Sequence, residues 1–114
     1  MSDCLFCKIR DGQIPAAITY RDEDVLAFKD INPRAPFHQL VVPLKHISTL
    51  GSASADEAEL LGKIVLAGAH LAKEAGYTDS GYRVVMNAGK DAGQTVFHIH
   101  LHVLAGRALG WPPG

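Results

Sequence analysis

The sequence has little of what would place a protein in a membrane, on a nucleic acid or outside the cell. No apolar run approaches the roughly 20 residues of a membrane helix, and the charges of Asp3, Lys8, Arg10 and Asp11 interrupt any apolar core of a signal peptide. The formal net charge is −1, and the basic residues are scattered, so no basic block would neutralise a phosphate backbone. We therefore expect a cytoplasmic protein that has neither a membrane nor a polymeric nucleic acid as partner.

Cysteine is also scarce, since the chain has only Cys4 and Cys7. Two cysteines make the disulfide framework of a small secreted domain improbable, and in a reducing compartment a C-x-x-C pair suggests a metal or redox role. A thioredoxin-like role is disfavoured because no βαβ pattern surrounds the pair. The pair is half of a tetrahedral zinc set, and two free, buried cysteines are the alternative.

The remaining composition is that of a folded domain. Hydrophobic residues make up 47% of the 114 residues and charged residues 20%, which is ordinary for a globular protein. The chain has no fixed-period repeat and no low-complexity linker. We expect one domain over residues 1–114.

Short strand patterns separated by turns predict most of the fold. The predicted strands lie in a hairpin over residues 17–31, which turns at Arg21 to Asp24, and in residues 38–44, 82–87 and 94–107. Consecutive strands with short connections and one long helix favour an α+β fold with an antiparallel sheet.

Residues 54–75 have the pattern of that helix. Ser54 and Glu57 form a capping-box signature at its start, and Gly76 suits its end. Its apolar residues recur at three- and four-residue spacing, which predicts one buried stripe: Leu60, Leu61, Ile64, Val65, Leu71, Ala72 and Ala75. The helix is expected to pack on the sheet.

Three histidines at every second position mark the last predicted strand. His98, His100 and His102 alternate with apolar residues in "FHIHLHV". A polar strand face that uses imidazole by chance is the plain alternative. A single metal ion bound by all three is disfavoured, because the side chains at i and i+4 of a strand lie about 13 Å apart. The spacing instead favours a row in which His100 has one imidazole on each side, an arrangement that tunes a reactive group.

Neutral imidazole is a competent nucleophile near neutral pH, and phosphorus is a natural target for it. The loop before the histidines supplies Gly93 for close backbone approach to a phosphate and Thr95 for a hydroxyl donor, while Asn87 ends the preceding strand. Each is a weak signal alone, since such residues are common in turns. Their convergence on the histidines predicts chemistry at a phosphoryl group.

The motifs resemble those of a known family. "HIHLHVL" is similar to the His-x-His-x-His signature of the histidine triad (HIT) superfamily, and "FKDINPRAPFHQLVVPLKHIS", "NAGKDAGQTVFHIHLHVLAGR" and "WPPG" resemble its Hint branch, the histidine-triad nucleotide-binding proteins. The resemblance covers nearly the whole chain. It implies a five-stranded antiparallel sheet with one long central helix, a short N-terminal helix and pairing into a homodimer.

The resemblance also implies an activity, that of a purine nucleoside phosphoramidase that releases AMP. His100 matches the nucleophile, His102 the residue that binds phosphate or assists the leaving group, and His38 the histidine that supports them through hydrogen bonds. Asp30 matches the acceptor of the ribose hydroxyls. The matches to the phosphate-binding positions are Asn87, Gly93 and Thr95, and those to the purine pocket are Phe6, Ile9, Ile14, Phe28, Ile31 and Leu40.

Without the resemblance, core packing would explain each apolar residue of the purine set, and a turn would explain Asp30. The resemblance leaves the choice between adenine and guanine open. It also implies that Trp111 reaches toward the site of the partner subunit. Two other functions stay possible at this point: a dinucleoside polyphosphate hydrolase of the Fhit type, which "WPPG" disfavours, and a nucleotide-binding interaction module with vestigial hydrolysis.

The resemblance further implies a metal site built on the cysteine pair. Relatives that retain the pair bind zinc with the histidine of "KHI" and the first triad histidine. In this chain those residues are His46 and His98, which would complete a Cys2His2 set with Cys4 and Cys7. Such a zinc ion is structural, and it would make His98 a ligand that orients His100. No catalytic cofactor is expected.

Overall fold

A computed structural model describes residues 3–114. Its elements are α1 (Leu5–Arg10), β1 (Ile18–Arg21), β2 (Val25–Lys29), β3 (Phe37–Pro43), α2 (Ala58–Glu74), β4 (Tyr82–Val85) and β5 (Leu101–Ala105), with short 3-10 turns at Leu50–Ser52, Ala55–Glu57 and Lys90–Ala92. The strands form one sheet in the order β1-β2-β3-β5-β4, and every neighbouring pair is antiparallel. The α+β prediction is confirmed.

The long helix α2 covers one face of the sheet. Alternate strand residues, among them Val41, Leu101 and Val103, point to this face and form one core cluster with Ile64 and Leu71 of the helix. Within residues 3–114, neither helix has the length and apolar character needed to cross a bilayer.

The buried stripe of α2 differs from the predicted one at two positions. Val65 is 45% exposed because it lies about 100° around the helix from buried Ile64, and Ala75 is exposed just beyond the last helical residue. The stripe instead includes Gly68, where a Cβ atom would lie 3.0 Å from the side chains of both Leu101 and Val103. Glycine therefore lets the helix approach β5 closely.

The opposite face of the sheet carries a second core cluster under α1. Phe6 and Ile9 of this short helix pack on Phe28 of β2 and Leu40 of β3. Arg10, the last residue of α1, donates from Nη1 to the carbonyl of Leu44 at 2.7 Å, which ties the helix to the end of β3. The face that carries α1 is the one on which the predicted site residues meet.

The last strand is shorter than the sequence predicts. β5 begins at Leu101, so the segment before it, which includes His98 and His100, is outside the sheet. The N–H of Ile99 donates to the carbonyl of Ile47 at 2.8 Å instead of to a sheet neighbour. The chain bends at residues 96–98, and the side chain of His98 lies against Cys4, Cys7 and His46. The predicted strand over residues 94–107 is therefore too long, and of the three histidines only His102 lies in β5.

Candidate active site

A cavity of about 500 Å³ opens on the α1 face of the sheet. It combines an apolar end with a polar end, which is the usual character of a site for a small organic ligand. Of the residues singled out in the sequence, the following line it: Phe6, Ile9, Ile14, Phe28, Asp30, Ile31, His38, Leu40, Asn87, Gly93, Thr95, His100 and His102.

The apolar end is built from α1, β2 and β3. Phe6 packs edge-on against Phe28, with the ring centroids 5.5 Å apart, and Leu40 is buried beside them. Ile31 differs from these residues because it is 89% exposed, at the rim of the cavity. A flat apolar ring would gain buried contacts here and would cover part of Ile31.

A hydrogen bond to the backbone fixes the orientation of the His100 ring. Its Nδ1 lies 2.9 Å from the carbonyl oxygen of His98. Because a carbonyl only accepts, Nδ1 carries the proton, and the neutral ring keeps its lone pair on Nε2. Phe6 packs edge-on against the ring with centroids 5.0 Å apart. The buried His100 thus combines a fixed orientation with an unprotonated nitrogen, which is what a nucleophile requires.

His102 and His38 form a hydrogen-bonded pair beside His100. Nε2 of His38 lies 2.9 Å from Nδ1 of His102 and 3.3 Å from Oδ2 of Asp30. The sheet creates this pair, because β3 and β5 are neighbours and place the two side chains on the same face. The ring centroids of His100 and His102 are 5.1 Å apart.

Burial keeps these three imidazoles neutral. Desolvation lowers the pKa of His38 and the pKa of His100, although the carboxylate of Asp30 opposes both shifts. The pKa of His102 falls to about 4, chiefly by desolvation and further by the positive charge that His100 or His38 would carry when protonated. At neutral pH the site therefore offers unprotonated nitrogens for attack and ring N–H groups for proton donation.

The pH dependence of stability should contain a contribution from His102. Its pKa rises from about 4 in the folded protein to 6.5 in the unfolded chain, so between these values the unfolded chain binds more protons. The stabilisation is present above pH 6.5 and is lost as the pH falls toward 4. The full shift corresponds to about 3 kcal/mol, and the partial exposure of the ring reduces the expected loss to about 2 kcal/mol. Denaturant unfolding between these pH values should show that His102→Gln loses less stability than the parent. His70→Gln, which removes an exposed imidazole, is the control, and equal losses in parent and His102→Gln would contradict the prediction.

The loop between β4 and β5 forms the polar end of the cavity. Gly93 has φ +95°, a left-handed conformation that favours glycine, and a Cβ atom there would meet nothing within 4 Å. The buried side chain of Gln94 holds the loop, because its Oε1 accepts from the N–H of Gly89 and its Nε2 donates to the carbonyl of Ser48, both at 2.8 Å. Asn87 and Thr95 are thereby presented to the cavity that His100 lines.

The side chain of His98 faces a different group of residues. It is fully buried, and its Nε2–H donates to the carbonyl of Pro43 at 2.8 Å. Its Nδ1 therefore carries a lone pair, which lies 3.4 Å from Sγ of Cys4 and 3.6 Å from Sγ of Cys7. Nδ1 of His46 completes the group, 3.2 Å from Nδ1 of His98 and 3.5 Å from Sγ of Cys7.

The spacing of these four atoms is that of a tetrahedral zinc site. Zn–S bonds of about 2.3 Å and Zn–N bonds of about 2.05 Å at tetrahedral angles separate two nitrogens by about 3.3 Å and a sulfur from a nitrogen by about 3.6 Å. The distances within the Cys4, Cys7, His46 and His98 cluster match these values, and all four donor atoms lie within 4.8 Å of one another. The donor set and its spacing therefore fit zinc.

Two contacts connect the cluster of Cys4, Cys7, His46 and His98 to the cavity. The carbonyl of His98 accepts the hydrogen bond from His100, and Phe6 contacts both rings, with centroids 5.9 Å from His98 and 5.0 Å from His100. Phe6 itself lies between Cys4 and Cys7 in the chain. These two contacts couple the position of the His100 ring to the cluster.

Two groups that position the site are absent from the sequence-based set. The N–H of Arg34 donates to Nδ1 of His38 at 2.9 Å, and Gln94 fixes the polar loop. A backbone donor leaves no trace in the sequence, whereas a glutamine beside two glycines and the histidines was the available signal for Gln94. Trp111, in contrast, is 83% exposed and does not line the cavity of its own chain.

Comparison with known proteins agrees with this architecture. The HIT domain model matches residues 11–109. The crystal structure of a HIT family hydrolase from Legionella pneumophila Philadelphia 1 superposes with a TM-score of 0.97 and 48% identity, covering 98% of this chain and 100% of that one.

Two further crystal structures extend the comparison. A histidine triad nucleotide-binding protein from Candida albicans has a TM-score of 0.80 and 32% identity, covering 96% of this chain and 83% of that one. A zinc-bound histidine triad family protein from Mycobacterium smegmatis has a TM-score of 0.79 and 38% identity, covering 92% and 76%. With its antiparallel sheet, its central helix and three histidines at alternate positions, this chain belongs to the HIT domain family.

Proposed function

We propose that the protein is a purine nucleoside phosphoramidase that hydrolyses nucleoside phosphoramidates and aminoacyl adenylates and releases AMP. The observation that carries the proposal is the unprotonated Nε2 of His100, held by the Nδ1–H bond to the carbonyl of His98 at the polar end of the cavity. The hydrolase from Legionella and the nucleotide-binding protein from Candida support a nucleotide hydrolase in this family. The cytoplasm is the proposed location.

In the first step, Nε2 of His100 attacks the α-phosphorus and forms a P–N bond. The bond from phosphorus to the amine breaks, and the Nε2–H of His102 protonates the departing nitrogen, so a neutral amine leaves. His102 is then an imidazolate anion, which accepts the hydrogen bond from Nε2 of His38 at its Nδ1 and lies beside the ring of His100. The modified ring of His100 becomes cationic, and its Nδ1–H bond to the carbonyl of His98 stabilises that charge. With a phosphoramidate substrate, the bond that forms has the same type as the bond that breaks.

In the second step, water replaces His100 on the phosphorus. Nε2 of His102, which lost its proton in the first step, accepts a proton from the attacking water. The bond between phosphorus and Nε2 of His100 breaks, AMP forms, and both histidines return to their starting protonation states. The reaction needs no redox partner and no catalytic metal ion.

The substrate is oriented by the two ends of the cavity. The purine packs among the apolar residues that include Phe6, Phe28 and Leu40, and the carboxylate of Asp30 accepts hydrogen bonds from the ribose hydroxyls. Asn87, the backbone at Gly93 and the hydroxyl of Thr95 surround the phosphate oxygens, where donors stabilise developing negative charge.

We infer that the cysteine cluster holds one structural zinc ion. Cys4, Cys7, His46 and His98 have the donor types and spacing for it, and the zinc-bound relative from Mycobacterium supports the inference. When bound, zinc supplies a crosslink between α1, the segment after β3 and the segment before β5. The ion does no chemistry in this proposal, because its four ligands come from the protein and its effect on His100 is positional.

We further propose that the protein acts as a homodimer across α2 and β4. β4 is an edge strand with exposed Tyr82 and Val84, and α2, which packs beside it, exposes Val65 and, to 70%, Leu66. An unpaired edge and an adjacent apolar helix face are typical of an interface that a second copy covers. Trp111 would reach the partner's site in this assembly.

The oligomeric state tests the dimer directly. We expect sedimentation equilibrium to give twice the chain mass for the parent and a shift toward monomer for Leu66→Glu, because the variant buries a charge in the apolar contact. Glu59→Gln, a change at another exposed position of α2, is the control. A monomeric parent would remove the dimer and leave the proposed chemistry in place.

Parallel steady-state kinetics test the proposed function. Adenosine 5′-phosphoramidate and diadenosine triphosphate are assayed under identical conditions, and we expect kcat/KM to be larger for the phosphoramidate by about two orders of magnitude or more. A preference for the dinucleotide would support a polyphosphate hydrolase instead. AMP binding without turnover of either substrate above background would support a binding module.

A further inference from the structure

A single backbone N–H reaches the histidine network from the loop between β2 and β3. The N–H of Arg34 donates to Nδ1 of buried His38 at 2.9 Å. We infer that this N–H is a positioning group that fixes the tautomers of His38 and His102 and so places the proton of His102 on Nε2. The effect on catalysis rests on the proposed function, in which Nε2 of His102 donates the proton to the leaving amine.

The first link is the direction of the bond to His38. A backbone N–H only donates, so Nδ1 of His38 accepts and carries no proton. Burial lowers the pKa of His38, and its neutral ring therefore holds its one proton on Nε2. The 3.3 Å contact from Nε2 to the carboxylate of Asp30 favours the same tautomer, since a carboxylate also only accepts.

The tautomer of His38 in turn fixes the tautomer of His102. The Nε2–H of His38 lies 2.9 Å from Nδ1 of His102, so Nδ1 accepts and the proton of the neutral His102 ring lies on Nε2. His102 lines the cavity, and Nε2 is the nitrogen that this hydrogen bond leaves for a ligand. In the opposite tautomer His102 would present a lone pair there and would have no proton for the leaving amine.

The N–H of Arg34 fixes the tautomer of His38 even when the carboxylate of Asp30 binds another group. In the proposed complex this carboxylate accepts hydrogen bonds from the ribose hydroxyls, which weakens its interaction with Nε2 of His38. The N–H of Arg34 has no such competitor. Its position is fixed from both sides of the loop, because the carbonyl of Arg34 accepts from Nε of Arg107 at 2.9 Å and the N–H of Asp30 donates to the carbonyl of His38 at 3.1 Å.

The tautomer of His38 also determines whether a second group of possible metal ligands can bind an ion. Asp30, His38 and His102 offer one ligand atom each within 4.8 Å of one another. A metal ion on Nε2 of His38 would require the proton to move to Nδ1, where it would face the N–H of Arg34. The cluster is therefore arranged to hold a proton, in contrast to the cysteine cluster, where the lone pair of His98 points inward.

Removing only the N–H tests the inference. The reference is Arg34→Ala, which keeps the backbone donor, and the test variant has lactic acid at position 34, introduced by nonsense suppression, which replaces that N–H with an ester oxygen. We expect kcat for adenosine 5′-phosphoramidate to fall about fivefold between reference and ester, the effect of one neutral hydrogen bond, while KM changes less than about twofold. Arg34→Pro, which also lacks the N–H and follows Pro33, should behave like the ester.

The tautomers themselves are read by long-range ¹H–¹⁵N spectra of histidine-labelled protein. In the parent and in Arg34→Ala, Nδ1 of His38 and of His102 should be unprotonated, and the ester should show a mixture of tautomers at both rings. A protonated Nδ1 of His38 in the parent, or an ester that equals Arg34→Ala in both spectra and kcat, would overturn the inference. If the parent fails to hydrolyse the phosphoramidate, the proposed function is lost, but the spectra still decide the tautomers.

Discussion

His100→Gly is expected to lower kcat for adenosine 5′-phosphoramidate by about 10⁴-fold or more while AMP still binds. The variant removes the nitrogen that forms the covalent bond to phosphorus, and loss of a nucleophile has effects of this size in enzymes whose reaction passes through a covalent intermediate. AMP binding should persist because the apolar end of the cavity, and the loop with Gly93 and Thr95 that is proposed to bind the phosphate, are unchanged. Calorimetric titration with AMP and steady-state kinetics measure the two quantities separately.

The covalent intermediate gives this prediction an independent readout. Acid quenching of the parent during turnover, followed by mass measurement of its peptides, should find an adenylyl group on the peptide that contains His100. Added imidazole should restore part of the activity of His100→Gly, because removal of the side chain leaves room beside Phe6 for a small ring. Full activity in His100→Gly, or an adenylyl group on another residue, would contradict the mechanism.

Removal of the cysteine pair is expected to have the second-largest effect. The parent should contain one zinc ion per chain, and the Cys4→Ser, Cys7→Ser variant should contain none, because hydroxyls are poor substitutes for thiolates in a tetrahedral site. Zinc that binds only the folded protein stabilises it by mass action. We expect the free energy of unfolding to fall by about 3 kcal/mol or more, measured by denaturant unfolding.

The Cys4→Ser, Cys7→Ser variant should also have a lower kcat, but the decrease should be smaller than that in His100→Gly. The carbonyl of His98 holds His100, and Phe6 contacts both rings, so a loosened cluster displaces the nucleophile. Metal analysis of the parent decides the first point, and a parent without zinc would contradict it. Treating the parent with a chelator and then restoring zinc is the control, since it changes metal content without changing the sequence.

The elements that depend on local pattern were predictable from the sequence. The β1–β2 turn, α2 with its capping residues and the strands β3 and β4 lie within a few residues of the predicted bounds, because alternation and helical periodicity reflect which face of each element is buried. The capping interactions of Ser54 and Glu57 are present, but they belong to a 3-10 turn just before α2. That residues 1–114 form a single domain stays a prediction.

The histidine stretch marks the limit of such reasoning. The alternation of polar and apolar residues predicted one strand with three imidazoles on one face. The ring of His98 instead contacts His46 and Cys7, which are 52 and 91 positions away in the chain. Contacts of that range outweigh the local pattern, so the chain bends before Leu101. His98 and His100 therefore have different partners, a group of metal-ligating side chains and the ring of His102, although the spacing of His98 and His100 is the same as that of His100 and His102.

The sequence by itself determined which chemical groups the protein has and which family it belongs to, because residue types and their spacing are properties of the chain. The tertiary structure decided how each imidazole is used, because the proton on a histidine ring is placed by whichever donor or acceptor the fold brings to it. The carbonyl of Pro43 and the N–H of Arg34 direct the lone pairs of His98 and His38. Every residue has a backbone carbonyl, and every residue except proline has a backbone N–H, so only folding decides which of them lies beside a particular ring.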